Sequence, residues 1–230
     1  MLAARLVRRL NKHEWSLSVA ESCTGGLLAS SFTDISGASD WFSQGWVTYS
    51  NEAKMNSLAV DGNTLERKGA VSHEVALQMA QGAKRASGTQ VSISITGIAG
   101  PTGGTENRPV GTVYVAVCID ESFLVRQGEF GGGDRASNKH SFTIFAMQKA
   151  IEAWDTHFGR IEQMMRDTEL EAADEAARKI ALSEALASMN PDLAEWQRQV
   201  RWGEEKQVVS TVAEEERDQL ALDVDWSSHE

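Results

Sequence analysis

The spacing of apolar and polar residues divides the first two thirds of the chain into alternating helices and strands. Leu2, Leu6 and Leu10 recur every four residues, which predicts an amphipathic helix near the N-terminus. Residues 90–96 alternate between polar and apolar side chains, as a half-buried strand does. Ser72 precedes a further apolar stripe and is a residue type that commonly begins helices, so a long helix is predicted to start there.

The same pattern predicts the remaining elements and the fold class. The predicted strands cover residues 15–20, 44–50, 90–96, 111–119 and 123–130, and further helices cover residues 27–32, 52–58, 134–154 and 161–189. Alternating helices and strands favour an α/β protein with a layered α/β/α arrangement. Two consecutive strands near residue 120 indicate a sheet that is mixed but mostly parallel.

Charge separates the chain into two parts. Residues 1–158 contain 14 basic and 15 acidic side chains, whereas residues 159–230 contain 8 basic and 18 acidic ones. We therefore predict one domain over residues 1–158 and an acidic, largely helical extension over residues 159–230, whose last part has a composition that favours disorder.

Two interpretations of the extension stay open. It is either a surface helix with a frayed end or a segment that packs on a partner subunit. The second is favoured by an apolar stripe and two aromatic residues, since disordered segments contain few aromatics. These residues are Leu182, Leu186, Met189, Leu193, Trp196 and Trp202, and Asn190-Pro191 is the predicted end of the long helix.

Composition excludes several classes of protein. The formal net charge of −11 and the lack of a basic cluster argue against nucleic-acid binding. No apolar run approaches the roughly 20 residues of a membrane span. The two cysteines, Cys23 and Cys118, are too few for a disulfide framework, and the five histidines lack the spacing of a zinc site. We expect a cytoplasmic protein without a cofactor and without nucleic-acid or membrane partners.

Two glycine-rich loops follow predicted strands. Residues 22–26 lie between a strand and a helix, and residues 96–104 follow the clearest strand. In α/β sheets, ligands bind beyond the carboxyl ends of parallel strands, where helix N-termini present free N–H groups. Neither loop matches a dinucleotide-binding or P-loop motif. Each is therefore a candidate ligand loop, with a simple tight turn as the alternative.

Five motifs in series resemble those of the CinA C-terminal domain family. They are AESCTGG at residues 20–26, WVTYSNEAK at 46–54, GAVS at 69–72, GIAGP at 97–101 and PVGTV at 109–113. The resemblance covers roughly residues 1–155 and is to the stand-alone amidase form. It implies an enzyme of pyridine-nucleotide salvage that hydrolyses the amide of nicotinamide mononucleotide, yielding nicotinic acid mononucleotide and ammonia. We also expect a homo-oligomer, a dimer or larger.

The resemblance further implies a serine amidase that uses neither histidine nor metal. It assigns the nucleophile to Ser39 and the activating roles to Tyr49 and Lys54. A buried lysine can act as such a base, because loss of hydration lowers its pKa. The residues that would hold the substrate are Ser22, Thr24, Gly25, Gly26, Thr96, Gly97 and Arg135, with Lys139 as a further basic residue and either Ser22 or Thr96 at the oxyanion.

Alternatives accompany these assignments. The alternative for the three catalytic residues is structural: Ser39 caps a helix, Tyr49 packs beside the sheet and Lys54 lies on the surface. Cys23 is an alternative nucleophile, and Glu21 either orders the site by hydrogen bonding or is a structural carboxylate. The competing function is a nucleotide-binding regulatory or interaction module that retains the pocket without turnover. A third option is amidase action on another pyridine or nucleotide amide.

Overall fold

The computed structural model describes residues 2–189 of the 230-residue chain. The chain divides into two units, Met1–Met165 and Arg166–Glu230. The predictions made for Leu193, Trp196, Trp202 and the Asn190-Pro191 helix end lie outside the described residues. None of the described helices combines the length and the apolar composition needed to cross a membrane.

The described elements follow the predicted alternation. The helices are α1 (Leu2–His13), α2 (Leu27–Thr33), α3 (Asn51–Leu58), α4 (Gly62–Lys68), α5 (His73–Ser87) and α6 (Arg135–Met189). The strands are β1 (Leu17–Glu21), β2 (Phe42–Val47), β3 (Val91–Gly97), β4 (Thr112–Ile119) and β5 (Ser122–Glu129), with a 3-10 turn at Ala38–Asp40 before β2.

The five strands form one mixed sheet in the order β2-β1-β3-β4-β5. β1 is parallel to both of its neighbours, β2 and β3, whereas β4 is antiparallel to β3 and to β5. The predicted mixed α/β sheet is confirmed, with parallel and antiparallel pairs in equal number. Because β1, β2 and β3 run in one direction, their carboxyl ends meet at a single edge, and the loops that follow them are brought together there.

Helices cover both faces of the sheet. α1, α2 and α6 pack on one face through a large apolar core, and α3, α4 and α5 pack on the other through two smaller clusters. On the second face, Ser92 and Ser94 of β3 are buried against α5, where their hydroxyls donate to the carbonyls of Ala80 and Ala76. The alternating serines of β3 thus allow a close approach between helix and sheet, with each buried hydroxyl satisfied.

Three differences from the predicted elements have local causes. The structure adds α4, which is too short to show an apolar period; the Asp61 carboxylate caps it by accepting from the N–H groups of Asn63 and Thr64. β2 begins and ends earlier than predicted, since residues 48–50 lead into α3 instead of extending the strand. The two C-terminal helices predicted separately form one helix, which accommodates Gly159 at a cost of about 1 kcal/mol relative to alanine.

Within the second unit, residues 166–189 are helical and solvent-exposed wherever their side chains are described. Arg178 pairs with Asp174 and Lys179 with Glu175, each at one-turn spacing. Leu182 and Leu186, two members of the predicted apolar stripe, are more than half exposed. The domain boundary at residue 158 stays a prediction.

Candidate active site

A pocket of about 240 Å³ opens at the edge where β1, β2 and β3 end. Three segments supply most of its wall: the β1–α2 loop (residues 22–26), the segment after β2, and the β3–β4 loop (residues 98–111). The start of α6 supplies the rest. Its lining consists of Ser22, Cys23, Tyr49, residues 97–100, residues 102–103 and Arg135.

Lys54 lies behind this pocket and reaches one of its lining hydroxyls. Its side chain belongs to α3, is 1% exposed, and its Nζ lies 3.1 Å from Ser22 Oγ and 2.7 Å from the carbonyl oxygen of Thr48. Ser50 caps the N-terminus of α3, because its Oγ accepts a hydrogen bond from the N–H of Ala53. Burial lowers the pKa of Lys54 below its usual range, so its neutral amine is accessible at lower pH than for an exposed lysine.

The arrangement gives the amine a defined orientation. A neutral amine has two N–H donors and one lone pair. Donation to the carbonyl of Thr48 uses one donor, and the 3.1 Å contact allows the lone pair to accept the hydroxyl proton of Ser22. A buried amine and a serine hydroxyl in hydrogen-bond contact form the pair that a serine–lysine hydrolase needs.

Tyr49 and Arg135 form the mouth of the pocket. The guanidinium of Arg135 donates to the Tyr49 hydroxyl and, at 2.9 Å, to the carbonyl oxygen of Gly100. Tyr49 is 60% exposed, and within the described residues no hydrogen bond joins it to Lys54 or Ser22. Tyr49 therefore faces an incoming ligand and is not placed to relay protons between Ser22 and Lys54.

Ser39, the predicted nucleophile, lies apart from the other predicted catalytic residues. It lies in the 3-10 turn before β2, whereas Ser22 follows β1. Because β1 and β2 are parallel, these positions lie at opposite edges of the sheet, separated by the length of a strand, about 20 Å at roughly 3.3 Å per residue. Ser39 is exposed, and among the described residues the hydrogen bond of its hydroxyl is a 3.5 Å contact to Asp40. The structure therefore does not bring it to Tyr49 and Lys54.

Thr96 and Thr24 are also placed away from the ligand space. Thr96 is 1% exposed, and its hydroxyl donates to the carbonyl of Ala70 at 2.7 Å, which ties β3 to the segment before α5. Thr24 is fully buried, and its Oγ1 has no hydrogen-bond partner among the described residues. Neither residue lines the pocket. Of the predicted strand-end residues, Ser22 and Gly97 do.

Four of the N–H groups at the start of α2, where an anion is predicted to bind, are already occupied. The Glu21 carboxylate accepts from the N–H groups of Gly26, Leu28 and Ala29, and the N–H of Gly25 donates to the carbonyl of Ser22. Gly25 and Gly26 both have positive φ, which lets the loop turn tightly. An internal carboxylate thus takes the place expected for a substrate phosphate.

Comparison with known proteins identifies the fold that carries this site. Residues 1–154 match the family model described as the CinA C-terminal domain. The chain belongs to the CinA C-terminal domain family. The match ends within α6, at Trp154, and it includes every residue that lines the pocket.

Several relatives show the same extent of similarity. The CinA C-terminal domain described here is 41% identical over 150 residues to the protein named nicotinamide-nucleotide amidohydrolase PncC of Enterobacter agglomerans, covering 65% of this chain and 92% of that protein. It is 48% identical over 151 residues to a CinA-like protein of Chlorobium limicola, covering 64% of this chain and 34% of that protein. The chain spans about a third of the length of the first curated relatives that it matches.

Solved structures agree with the fold. The crystal structure of the competence/damage inducible protein CihA from Agrobacterium tumefaciens superposes with a TM-score of 0.65 at 38% identity, covering 66% of this chain and 93% of that one. A CinA superfamily protein from Escherichia coli gives a TM-score of 0.63 at 37% identity, covering 65% of this chain and 87% of that one.

Two groups of the CinA C-terminal domain that shape the site were not found by sequence reasoning. The buried Asn138 of α6 donates to the carbonyls of Ala99 and Gly133, which fixes one wall of the pocket. The main-chain carbonyl of Thr48 orients Lys54. An isolated helical asparagine and a carbonyl carry no sequence signal.

Lys139, one helical turn after Arg135, lies beside the β1–α2 loop, where a Cβ atom added at Gly25 would be 3.7 Å from its Nζ.

Proposed function

We propose that this chain is an amidohydrolase that converts nicotinamide mononucleotide to nicotinic acid mononucleotide and ammonia, with Ser22 as the nucleophile. The observation that carries the proposal is the buried Lys54 amine within 3.1 Å of Ser22 Oγ, at the wall of an open pocket. The substrate follows from the 41% identical relative, whose name is nicotinamide-nucleotide amidohydrolase.

The first half of the reaction acylates the enzyme. Neutral Lys54 accepts the Ser22 hydroxyl proton as Oγ attacks the carboxamide carbon, which gives a tetrahedral intermediate. The resulting ammonium form of Lys54 then donates that proton to the leaving nitrogen, and the C–N bond breaks to release ammonia. An ester of Ser22 with the nicotinic acid moiety remains.

The second half regenerates the serine. A water molecule loses a proton to Lys54 and adds to the ester carbon, and Lys54 returns the proton to Ser22 Oγ as the acid leaves. The carbonyl of Thr48 accepts a hydrogen bond from Lys54 throughout, which keeps the amine in place while its charge changes. Arg135 and Lys139, on consecutive turns of α6, supply positive charge for the nucleotide phosphate.

Cys23 is less suited to the attack. It is 6% exposed, and burial raises the pKa of its thiol to about 12, so the thiolate that would be the nucleophile is scarce near neutral pH.

The test compares three serine and cysteine variants. Ser22→Ala should lower ammonia release from nicotinamide mononucleotide at least 10³-fold, while Ser39→Ala, the matched control, and Cys23→Ala keep near wild-type rates. Circular dichroism should show that each variant is folded. Tight binding of the nucleotide by wild-type protein without ammonia release would contradict the proposal and favour a binding module. Loss of activity in Ser39→Ala but not in Ser22→Ala would contradict the nucleophile.

A further inference from the structure

Glu21 is a buried carboxylate at the point where the main chain leaves β1 for the candidate nucleophile. It is 0% exposed. Its Oε2 accepts from the N–H groups of Gly26 at 3.0 Å and Leu28 at 3.1 Å, and its Oε1 accepts from Ala29 at 2.8 Å. Three main-chain N–H groups, which lie five to eight residues after Glu21 in the chain, thus donate to this one side chain.

These bonds fix the β1–α2 loop. The residue that precedes α2 is Gly26, which has no side chain to cap the helix, so Glu21 supplies the cap from the preceding strand. The negative charge of the carboxylate is also stabilised by the positive end of the helix dipole. The main chain of Glu21 belongs to β1, and its side chain binds the N–H groups of residues 26, 28 and 29. The short segment between them, which contains Ser22, is therefore held at both of its ends.

The same residue positions the base. Within the sheet, the carbonyl of Glu21 accepts from the N–H of Thr48 at 2.8 Å, and the carbonyl of Thr48 in turn accepts from Lys54 Nζ at 2.7 Å. Glu21 therefore helps to position both residues. Its side chain holds the loop that contains Ser22, and its main-chain carbonyl binds Thr48, whose own carbonyl binds Lys54.

We propose that Glu21 is a positioning residue for this reaction, which sets the contact between Ser22 Oγ and Lys54 Nζ by holding the β1–α2 loop against the start of α2. The inference rests on the proposed function. Glu21 touches neither the substrate space nor the Lys54 amine, so it is not assigned a proton-transfer role.

Glu21→Gln is the informative substitution, because it keeps the size of the side chain and changes one acceptor into a donor. In one orientation the amide loses the bond to Ala29, and in the other it loses the bonds to Gly26 and Leu28. Either way, an NH₂ group faces main-chain N–H donors, and the loop moves away. A misplacement of about 1 Å lowers a reaction rate about 10²-fold.

We therefore expect Glu21→Gln to lower kcat for ammonia release from nicotinamide mononucleotide about 10²-fold and to change KM less than about threefold. The pocket walls that hold the substrate belong mainly to other segments, so binding is retained. The shape of the pH profile of kcat should match that of wild type, since Lys54 remains the base. Amide hydrogen exchange at Gly26, Leu28 and Ala29 should be faster than in wild type.

Ser94→Ala is the matched control. Ser94 is fully buried on the neighbouring strand, and its hydroxyl also ties strand to helix by donating to the carbonyl of Ala76 at 2.6 Å. It should lower the urea midpoint of unfolding and leave kcat unchanged. Glu21→Asp, which keeps the charge with a shorter reach, should give a kcat between those of wild type and Glu21→Gln.

The outcomes are separable. Ammonia release by wild type with an unchanged kcat in folded Glu21→Gln would overturn the positioning role and leave the proposed function standing. Absence of ammonia release by wild type would overturn both. Loss of a limb from the pH profile in the variant would make Glu21 a proton-transfer group and contradict the inference. Failure of both Glu21 variants to fold would assign the residue to stability alone.

Discussion

Replacing Lys54 by methionine separates the proposed catalytic role of the buried amine from its effect on stability. Methionine keeps an unbranched side chain in the space that the lysine stem fills and removes the group that contacts Ser22 and Thr48. A general base contributes typically 10²–10⁴-fold, which is about 3–5 kcal/mol of activation free energy at about 1.4 kcal/mol per factor of ten. We expect kcat for ammonia release to fall by that factor.

Two opposing changes determine the free energy of unfolding of Lys54→Met. The Thr48 carbonyl loses its donor, and an unsatisfied buried acceptor costs about 1–3 kcal/mol. The variant also avoids placing an ammonium group in the protein interior, which burial disfavours. Since the two changes oppose each other, the variant should remain folded at pH 7, and the fall in kcat can be attributed to the chemistry.

The sign of the pH dependence follows from linkage. The pKa of Lys54 is lower in the folded than in the unfolded state, so between the two values the unfolded chain binds more protons and wild-type stability rises with pH. The gain in wild-type stability is complete near the pKa of lysine in the unfolded chain, about 10.4. The stability of Lys54→Met relative to wild type should therefore be highest at neutral pH and decrease as the pH is raised towards 10.

Urea unfolding at pH 7 and pH 10, together with ammonia release, measures both effects. Lys84→Met is the control, because the Lys84 amine also donates to a main-chain carbonyl, that of Asp120, at the opposite edge of the sheet. It should leave kcat unchanged. A less than tenfold loss of activity in Lys54→Met would contradict the role of Lys54 as the general base. A stability difference from wild type that does not vary with pH would contradict the lowered pKa of Lys54.

Three further predictions test other parts of the molecule. Arg135→Gln should raise KM for nicotinamide mononucleotide about tenfold or more and change kcat less, because the guanidinium faces the pocket mouth; equal effects on both constants would contradict a binding role. Cys23 should react slowly with iodoacetamide at pH 8 in folded protein and quickly in urea, since burial raises its pKa to about 12. Burial lowers the pKa of His157, so wild-type stability should decrease as the pH falls below about 6.5, and His157→Gln should lose this dependence in urea titrations at pH 7.5 and 5.5.

The fold could be predicted from the sequence because its signals are local. The four-residue spacing of α1 identifies the face of that helix that the structure buries. The alternation of β3 identifies a strand, but the expected half-burial is wrong: both faces are buried, because the serines of the polar face pack against α5. α4 was missed because seven residues are too few to show a period, and its capping Asp61 resembles an ordinary turn residue. The continuity of α6 through Gly159 was missed because glycine in an exposed helix costs too little to end it.

The site could be predicted only in part, because it depends on which edge of the sheet each loop reaches. Ser39 and Ser22 both lie in loops beside strands, and linear spacing does not distinguish them. The parallel pairing of β1 and β2 does: a residue before one strand and a residue after its parallel neighbour lie at opposite edges. Tyr49 and Lys54 follow β2 and therefore lie at the same edge as Ser22, which follows β1.

The occupation of the α2 N-terminus by Glu21 also determines where a substrate phosphate can be held. A helix N-terminus attracts an anion because its N–H groups are unpaired, and here three of those groups already donate to a carboxylate. A phosphate placed there would meet a negative charge in a buried setting, where like charges repel strongly. Arg135 of α6 lines the pocket, and Lys139 of the same helix lies beside the β1–α2 loop, so both carry positive charge close to the ligand space. If the proposed function holds, the glycine loop positions the nucleophile, and we expect Arg135 and Lys139 of α6 to bind the phosphate of the nucleotide.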